Sequence, residues 1–342
     1  MGITIKDLAK LAGVSRGTID KALNNRPGIS EVTRERILRM AEELEYQPNL
    51  MGKALVQGDK PIKIGAIVTP EYNPFVQLIK DGIAQAAEEY QPFNVSVITK
   101  EPVTMETSEK IWLLDQLVED GVKAIAILPS NSPELVEKLN EISAKGISVL
   151  IFNSYVPGID QLCFVGQNHY HGGRTAADLM RRSIPENAEI GIIMSSKELS
   201  CHNSRISGFQ DYFAQFGDRY KIIEIFENKD LKDEAYALTL RMLNAHPELK
   251  GIYITGGGTI GVARALELTG NAKNIALICH DLLAENADYM RDGTIDFVVD
   301  QDGHKQGYMS IKILAEYLLK RAYPETSNFV IPITIYTGEA IS

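Results

Sequence analysis

Residues 4–25 read TIKDLAKLAGVSRGTIDKALNN, and the geometry of this stretch organises the reading of the whole chain. Thr4 is placed to N-cap a first helix, with Asp7 near its positive end. Leu8, Leu11 and Ala12 recur at helical spacing and are expected to form an inner face. Gly13 stands where a helix ends on a positive φ, and Val14 follows into a small core. Ser15 caps a second helix with Thr18 at its third position. Ile19 and Leu23 then point inward, whereas Arg16, Gly17, Asp20, Lys21 and Asn24 lie outward. Two short helices meeting at a glycine in this way make a helix-turn-helix.

The outward side carries residue types that read double-stranded DNA. A helix fits the major groove, and its N-terminal side chains meet base edges. Arg16 can fork onto guanine O6 and N7, Gly17 permits close approach, and Lys21 reaches a base or a phosphate one turn later. Thr4, Ser15 and Thr18 offer hydroxyls to phosphate oxygens, which set register without reading sequence. Asn24 completes the outward set.

Charge agrees with a DNA-facing head on a different body. The 342 residues carry a net charge of −10, which as a total argues against nucleic acid. Residues 1–60 are net +2, however, leaving −12 on the rest. A weakly basic head on an acidic body is the asymmetry expected when only the head meets phosphate. With 44% apolar residues the chain is ample for two or three lobes. No apolar run approaches a membrane span, and the first residues lack a signal-peptide core. Three widely spaced cysteines, Cys163, Cys201 and Cys279, suit reduced thiols in a cytoplasm.

Beyond the turn at Pro27-Gly28, Ser30 caps a third helix with Thr33 in its first turn. Ile37, Met40, Ala41 and Leu44 give that helix an inner stripe, and Arg34, Arg36 and Arg39 are expected on its solvent side. Residues 47–60 then form a hinge. Pro48 suits a first helical position, and NLMGKALVQG is a short helical candidate with Gly52 inside it. A helix so short is marginal alone in water, so the segment is expected to order against a partner. Leu55 is its apolar wedge for a minor groove.

These residues resemble the LacI/GalR family of transcriptional repressors. The resemblance lies in TIKDLAKLAGVSRGTIDKALN, in the third helix ending EYQPN, and in the hinge MGKAL. It implies that Arg16, Gly17 and Lys21 occupy base-reading positions and that Leu55 is the minor-groove leucine. Asp20 stands where the family usually has Ser or His, and Gly52-Lys53 replace the hinge's Ala and Arg.

After Lys60 the pattern becomes alternating strands and helices. Ile- and Val-rich runs occur at 62–68, 95–99, 124–128 and 148–152, separated by amphipathic stretches such as FVQLIKDGIAQAAEEY. A second series follows: FVGQ, EIGIIM, KIIEIF, GIYIT and IALICH. Short buried strands alternating with helices mean parallel sheets covered on both faces, here in two lobes. This body resembles the type I periplasmic sugar-binding fold, which the repressor family shares. The fold class is therefore a two-lobed α/β core, type I periplasmic-binding-protein-like, with an N-terminal all-α helix-turn-helix head. The resemblance implies three crossovers between lobes, placed near 162–166, 292–296 and 323–328. The domains are then 1–46 for the head, 47–60 for the hinge, 61–163 plus 294–324 for the first lobe, and 164–293 plus 325–342 for the second.

Ligands of open α/β sheets sit beyond the carboxyl ends of strands. Strand ends here supply Asn73, Phe75, Asn153, Arg205, Asp281 and Gln301. An aromatic face with Asn, Asp, Arg and Gln is what a polyhydroxylated ring requires, because each buried hydroxyl needs a fixed partner. The NPF run followed by LIKDG also resembles pentose- and hexose-binding members of the fold, which implies ligand contact at all six positions. Asn153-Ser154 departs from the Asp-Arg of ribose binders.

One stretch points to another class. GIYIT-GGGTIG-VARALEL sets a G-x-G-x-x-G at 256–261 between a strand and a helix, with Asp281 after the next strand, as a dinucleotide-binding enzyme would. That fingerprint normally lies in the first βαβ unit of its fold, and here it comes late in the second lobe. Cys201-His202 and Cys279-His280 are two Cys-His pairs near strand ends, without the spacing of a local zinc motif. No catalytic constellation, metal site or cofactor is expected. The sequence reads as a cytoplasmic, homodimeric repressor that binds an operator and is controlled by a small-molecule effector, a sugar or sugar derivative or, alternatively, a nucleobase or another metabolite.

Overall fold

A computed structural model of the chain describes residues 3, 5–23, 27–44, 61–71, 73–320 and 323–341. The expectations for Thr4, Asn24, Leu55 and the hinge 47–60 lie outside the described residues.

The head is three helices, α1 (Ile5–Ala12), α2 (Arg16–Leu23) and α3 (Glu31–Glu43). Gly13, at φ +64°, ends α1 with two reverse bonds: its own N–H reaches Lys10 O and that of Val14 reaches Ala9 O. The Thr18 N–H donates to Ser15 Oγ at 3.1 Å, and the Thr33 N–H to Ser30 Oγ at 3.2 Å, so both caps form. Leu8, Ala9, Ala12, Ile19, Ala22, Ile37 and Ala41 make the core. Leu11 is 58% exposed, contrary to its expected inner place, because α1 buries positions i, i+1 and i+4 and Leu11 sits about 100° away. Leu44 likewise reaches solvent at the end of the third-helix stripe. Arg36 and Arg34 are not idle surface cations. Arg36 Nη2 donates to Ala12 O at 3.0 Å and Arg34 Nη1 to Lys21 O at 3.3 Å, so each bonds a carbonyl in the last turn of a neighbouring helix.

The body has two six-stranded sheets. The first holds β1 (Ile62–Ile67), β2 (Val95–Lys100), β3 (Ala124–Ile127), β4 (Ser148–Phe152), β5 (Cys163–Gln167) and β11 (Asn328–Ile331), in the order β11-β5-β4-β3-β1-β2. The second holds β6 (Ala188–Met194), β7 (Tyr220–Glu227), β8 (Leu249–Ile254), β9 (Ala276–His280), β10 (Phe297–Asp300) and β12 (Thr334–Tyr336), in the order β12-β10-β9-β8-β6-β7. The two orders are the same walk made twice. All pairings are parallel except β10–β12, an antiparallel edge. Helices α4 (Phe75–Tyr90), α5 (Thr107–Glu119), α6 (Pro133–Ala144) and α12 (Gly303–Lys320) cover the first sheet; α7 (His169–Ser183), α8 (Ser200–Phe213), α9 (Lys232–Ala245), α10 (Thr259–Leu268) and the short α11 (Ala287–Arg291) belong with the second. Each sheet has an apolar layer on both faces, which is why its strands read as unbroken Ile/Val/Ala runs.

The chain changes sheet later than the sequence suggested. β5 pairs with β4, β10 with β9 and β11 with β5, so the crossings fall at 168, 301–302 and 332–333. Residues 164–167 and 328–331 therefore belong to the first lobe, and 297–300 to the second. In each case the strand completes its ladder before the polar or proline residue that lets the chain leave. Asn168 does so by accepting the His171 N–H at 3.0 Å to start α7.

Two close helix crossings set the site. Gly173 of α7 lies against Arg205 O of α8, and Gly208 of α8 against Tyr170 O, where any Cβ would collide. Gly82 of α4 and Gly307 of α12 repeat the arrangement in the first lobe.

Candidate functional site

The carboxyl ends of the two sheets face one another across a cleft of about 450 Å³, part of it open to solvent. All six expected strand-end residues, Asn73, Phe75, Asn153, Arg205, Asp281 and Gln301, line it.

Each is held by local chemistry. Asn73 Oδ1 accepts the Phe75 N–H at 3.0 Å, so the turn before α4 places the ring. Phe75 is buried, with its ring against the spot where a Gly303 Cβ would stand. Asn153 and Asp281 both adopt positive φ, +60° and +70°, at the ends of β4 and β9, a conformation that Asn and Asp tolerate. Asn153 Nδ2 donates to Gln301 Oε1 at 3.0 Å, and Gln301 Nε2 donates to Asp281 Oδ1 at 2.8 Å. This chain joins the first lobe, a crossover and the second lobe. Gln306, which sequence reasoning missed, supports it by donating to Gln301 O at 2.9 Å.

Arg205 dominates the electrostatics. It is 1% exposed, and only Nη1 is bonded, to Thr255 O at 2.6 Å. Nε and Nη2 have no partner. Those two nitrogens form one edge of the guanidinium, a fork suited to paired oxygens. Burial pushes the Asp281 carboxyl up to about 6, with Arg205 opposing. Burial and then Arg205 hold His169 and His280 well below the ordinary imidazole range. His169 Nε2 lies 2.6 Å from Asn153 O, which can only accept, so Nε2 carries the proton and Nδ1 is left bare.

Cys201, His202 and Asp230 also line the cleft. Burial opposes charge on His202, yet the Cys201 thiol and Asp230 outweigh it and raise its pKa. Burial also pushes the Cys201 thiol up, and His202 with Arg205 turns the balance so that it lies below its usual value. His202 and Cys201 stand in the run after β6, three and four residues before Arg205; Asp230 follows β7 and was not among the expected positions.

The glycine-rich loop has a different task from the dinucleotide one. The Gly257 N–H donates to Asp230 Oδ1 at 2.7 Å, and Asn228 Nδ2 donates to Gly257 O at 2.8 Å. A Cβ at Gly256 would sit 2.7 Å from His202 Cε1 and 2.8 Å from Ser195 Cβ. The glycines admit the protein's own side chains, and the Gly257 amide is spent on Asp230. Cys279 turns into the core on the opposite face of the second sheet from His280, so the two Cys-His pairs do not share a centre. Among the described residues no helix is long and apolar enough to cross a membrane.

Residues 64–322 match the periplasmic binding protein domain, and residues 4–49 match the bacterial regulatory proteins of the lacI family. The chain belongs to the LacI family of bacterial regulatory proteins. The helix-turn-helix of this regulator is thus the family's DNA-binding head, and its two-lobed body is the type I periplasmic-binding-like core. The D-ribose/D-allose-binding protein of Pseudomonas aeruginosa is 25% identical over 82% of this LacI-family chain and 90% of its own length. The HTH-type transcriptional regulator GalR of Escherichia coli is 26% identical over 63% of the chain and 60% of its own length. GanP, a glucose-galactose binding protein from Geobacillus stearothermophilus, superposes with a TM-score of 0.74 at 22% identity, over 82% of this chain and 99% of that one.

Proposed function

We propose that this LacI-family regulator is a cytoplasmic homodimeric repressor whose operator binding is controlled by a neutral sugar held between its lobes. It acts by binding and carries out no reaction. The observation that carries the effector reading is the Arg205 fork: two buried, unpartnered nitrogen donors in a cleft whose other polar groups include Asn73, Asn153, His202, Asp230, Asp281 and Gln301. Leaving such donors dry is costly, and two adjacent sugar hydroxyls satisfy both. Phe75, with Asn73 fixing its turn, offers an apolar face to ring C–H groups. The names of the sugar-binding relatives support the same ligand class.

In the head, Arg16, Gly17 and Lys21 lie exposed along α2 and are assigned to base contact; Ser15 and Thr18 are assigned to phosphate. Two heads on a dimer read the two halves of a pseudo-palindrome.

A thermal-shift screen of the intact chain against D-ribose, D-allose, D-galactose, D-glucose, D-xylose, L-arabinose and the nucleobases tests the effector reading. One or more sugars should raise the melting temperature in a concentration-dependent way. Arg205→Ala should abolish that shift, since it removes both free donors. Stabilisation by a nucleobase and by no sugar would overturn the carbohydrate assignment.

A further inference from the structure

A second chamber opens outward from the cleft. It is bounded by the loop after β2 (Val103, Met105, Glu106), the loop after β6 (Ser195, Glu198) and the end of β7 with the loop after it (Glu227, Lys229 to Leu231), and spans about 900 Å³ out to solvent. Met105 and Asp230 line both spaces, so the two adjoin. The sheet orders place it. β2 and β7 are the outer edges of their sheets, whereas the three crossovers leave from β5, β10 and β11 at the other side. The chamber therefore lies at the edge of the cleft away from the three crossovers.

Two independent features distinguish it from a mere opening. Ser195 lines the chamber, is 1% exposed, and its buried Oγ has no hydrogen-bond partner. A dry hydroxyl of this kind calls for a polar group from outside the protein. The rim carries four carboxylates, Glu106, Glu198, Glu227 and Asp230, against the single ammonium of Lys229. Two of them are part-engaged: Glu227 Oε1 takes the Lys197 N–H at 3.1 Å, and Asp230 Oδ1 takes that of Gly257. Their negative charge remains, and it repels an anion entering the chamber. Val103, Met105 and Leu231 supply an apolar side, with Val103 and Leu231 exposed.

We propose that this antechamber is a second ligand subsite that takes the outer ring of a neutral two-ring carbohydrate and excludes phosphorylated sugars. The inner ring occupies the cleft at Arg205; Ser195 Oγ bonds the outer ring or the glycosidic oxygen, and Val103, Met105 and Leu231 face its C–H surface. This rests on the carbohydrate reading of the cleft. It adds that recognition happens before any phosphorylating or glycoside-cleaving step acts on the sugar.

Calorimetric titration of the intact chain with D-glucose, D-galactose and D-xylose, with maltose, cellobiose, lactose and xylobiose, and with glucose 6-phosphate tests it. At least one disaccharide should bind about tenfold more tightly than its component monosaccharides, and the phosphate should bind most weakly. Ser195→Ala, which removes only a hydroxyl, should cost the disaccharide about tenfold and leave the monosaccharide within about twofold. Glu106→Gln with Glu198→Gln should narrow the gap between glucose and its phosphate. Monosaccharides binding as tightly as disaccharides, or Ser195→Ala weakening both alike, would overturn the subsite and leave the carbohydrate reading intact. Binding of no carbohydrate of either size would overturn both.

Discussion

Asp281 is held at φ +70° with its carboxyl buried and bonded by Gln301 Nε2, and burial lifts its pKa from 3.8 to about 6. The folded protein thus holds this proton more tightly than the unfolded chain. Between pH 3.8 and about 6 stability falls as pH rises, and above about 6 the whole penalty is present. Arg205, which lines the same cleft, is a buried cation with two unpartnered nitrogens. The cleft therefore holds a buried carboxyl and a buried guanidinium edge whose unmet polar needs a hydroxyl-bearing ligand can meet. Asp281→Asn keeps an oxygen for Gln301 and a residue that tolerates positive φ. It should raise the stability of the unliganded protein by about 1–3 kcal/mol at pH 8, with most of that gain gone at pH 4, while weakening sugar binding. Thermal unfolding of the two proteins at both pH values checks this; a gain independent of pH would refute the linkage.

At the scale of elements, the α7–α8 crossing determines where Arg205 stands. Gly173 touches the Arg205 carbonyl and Gly208 the Tyr170 carbonyl, so the helices approach to backbone contact. Gly173→Ala should force them apart, costing about 1–3 kcal/mol, and should lower sugar affinity with it, because the guanidinium moves with its helix. Chemical denaturation and sugar titration of the same variant should both show the loss; lost stability with unchanged affinity would separate the crossing from the site. Such crossings were invisible in the sequence, since a glycine in a helical run does not announce what backbone it meets. The strand ends were visible: apolar runs stop at or one residue before Asn153, Asp281 and Gln301, and continuous burial on both faces leaves little place for polar residues within the strands. The third crossover was misplaced because β11 (NFVI), a strand on a sheet edge, carries a weaker apolar signal than a central one. In the head, Ser15 and Gly13 were legible as cap and stop. The burial of Ala9 in place of Leu11 was not, because a helix of two turns leaves the choice of face to its neighbours.

The whole molecule is two copies of one sheet order joined by three crossings at one edge and open at the other. Bonds also span the lobes on the cleft side. The Asn131 N–H reaches Glu198 O at 2.9 Å, Ser200 Oγ donates to Tyr155 O at 2.5 Å, and the Cys201 N–H donates to Ser154 Oγ at 3.3 Å. Gln167 Nε2 ties two crossings together through Asp300 O and Pro332 O, at 2.9 and 3.2 Å. A ligand that prefers one lobe arrangement over another shifts the pair by the difference in its two affinities and by no more. If the heads sense that arrangement, operator and sugar must change each other's affinity by one common factor. The decisive measurement is the dissociation constant of the intact chain for an operator selected from random duplexes, at fixed salt, with and without a saturating sugar. A change of about ten- to a hundredfold is expected, one that disappears in Arg205→Ala, whose ligand-free operator affinity is unaltered. An operator affinity that saturating sugar leaves unchanged would contradict it.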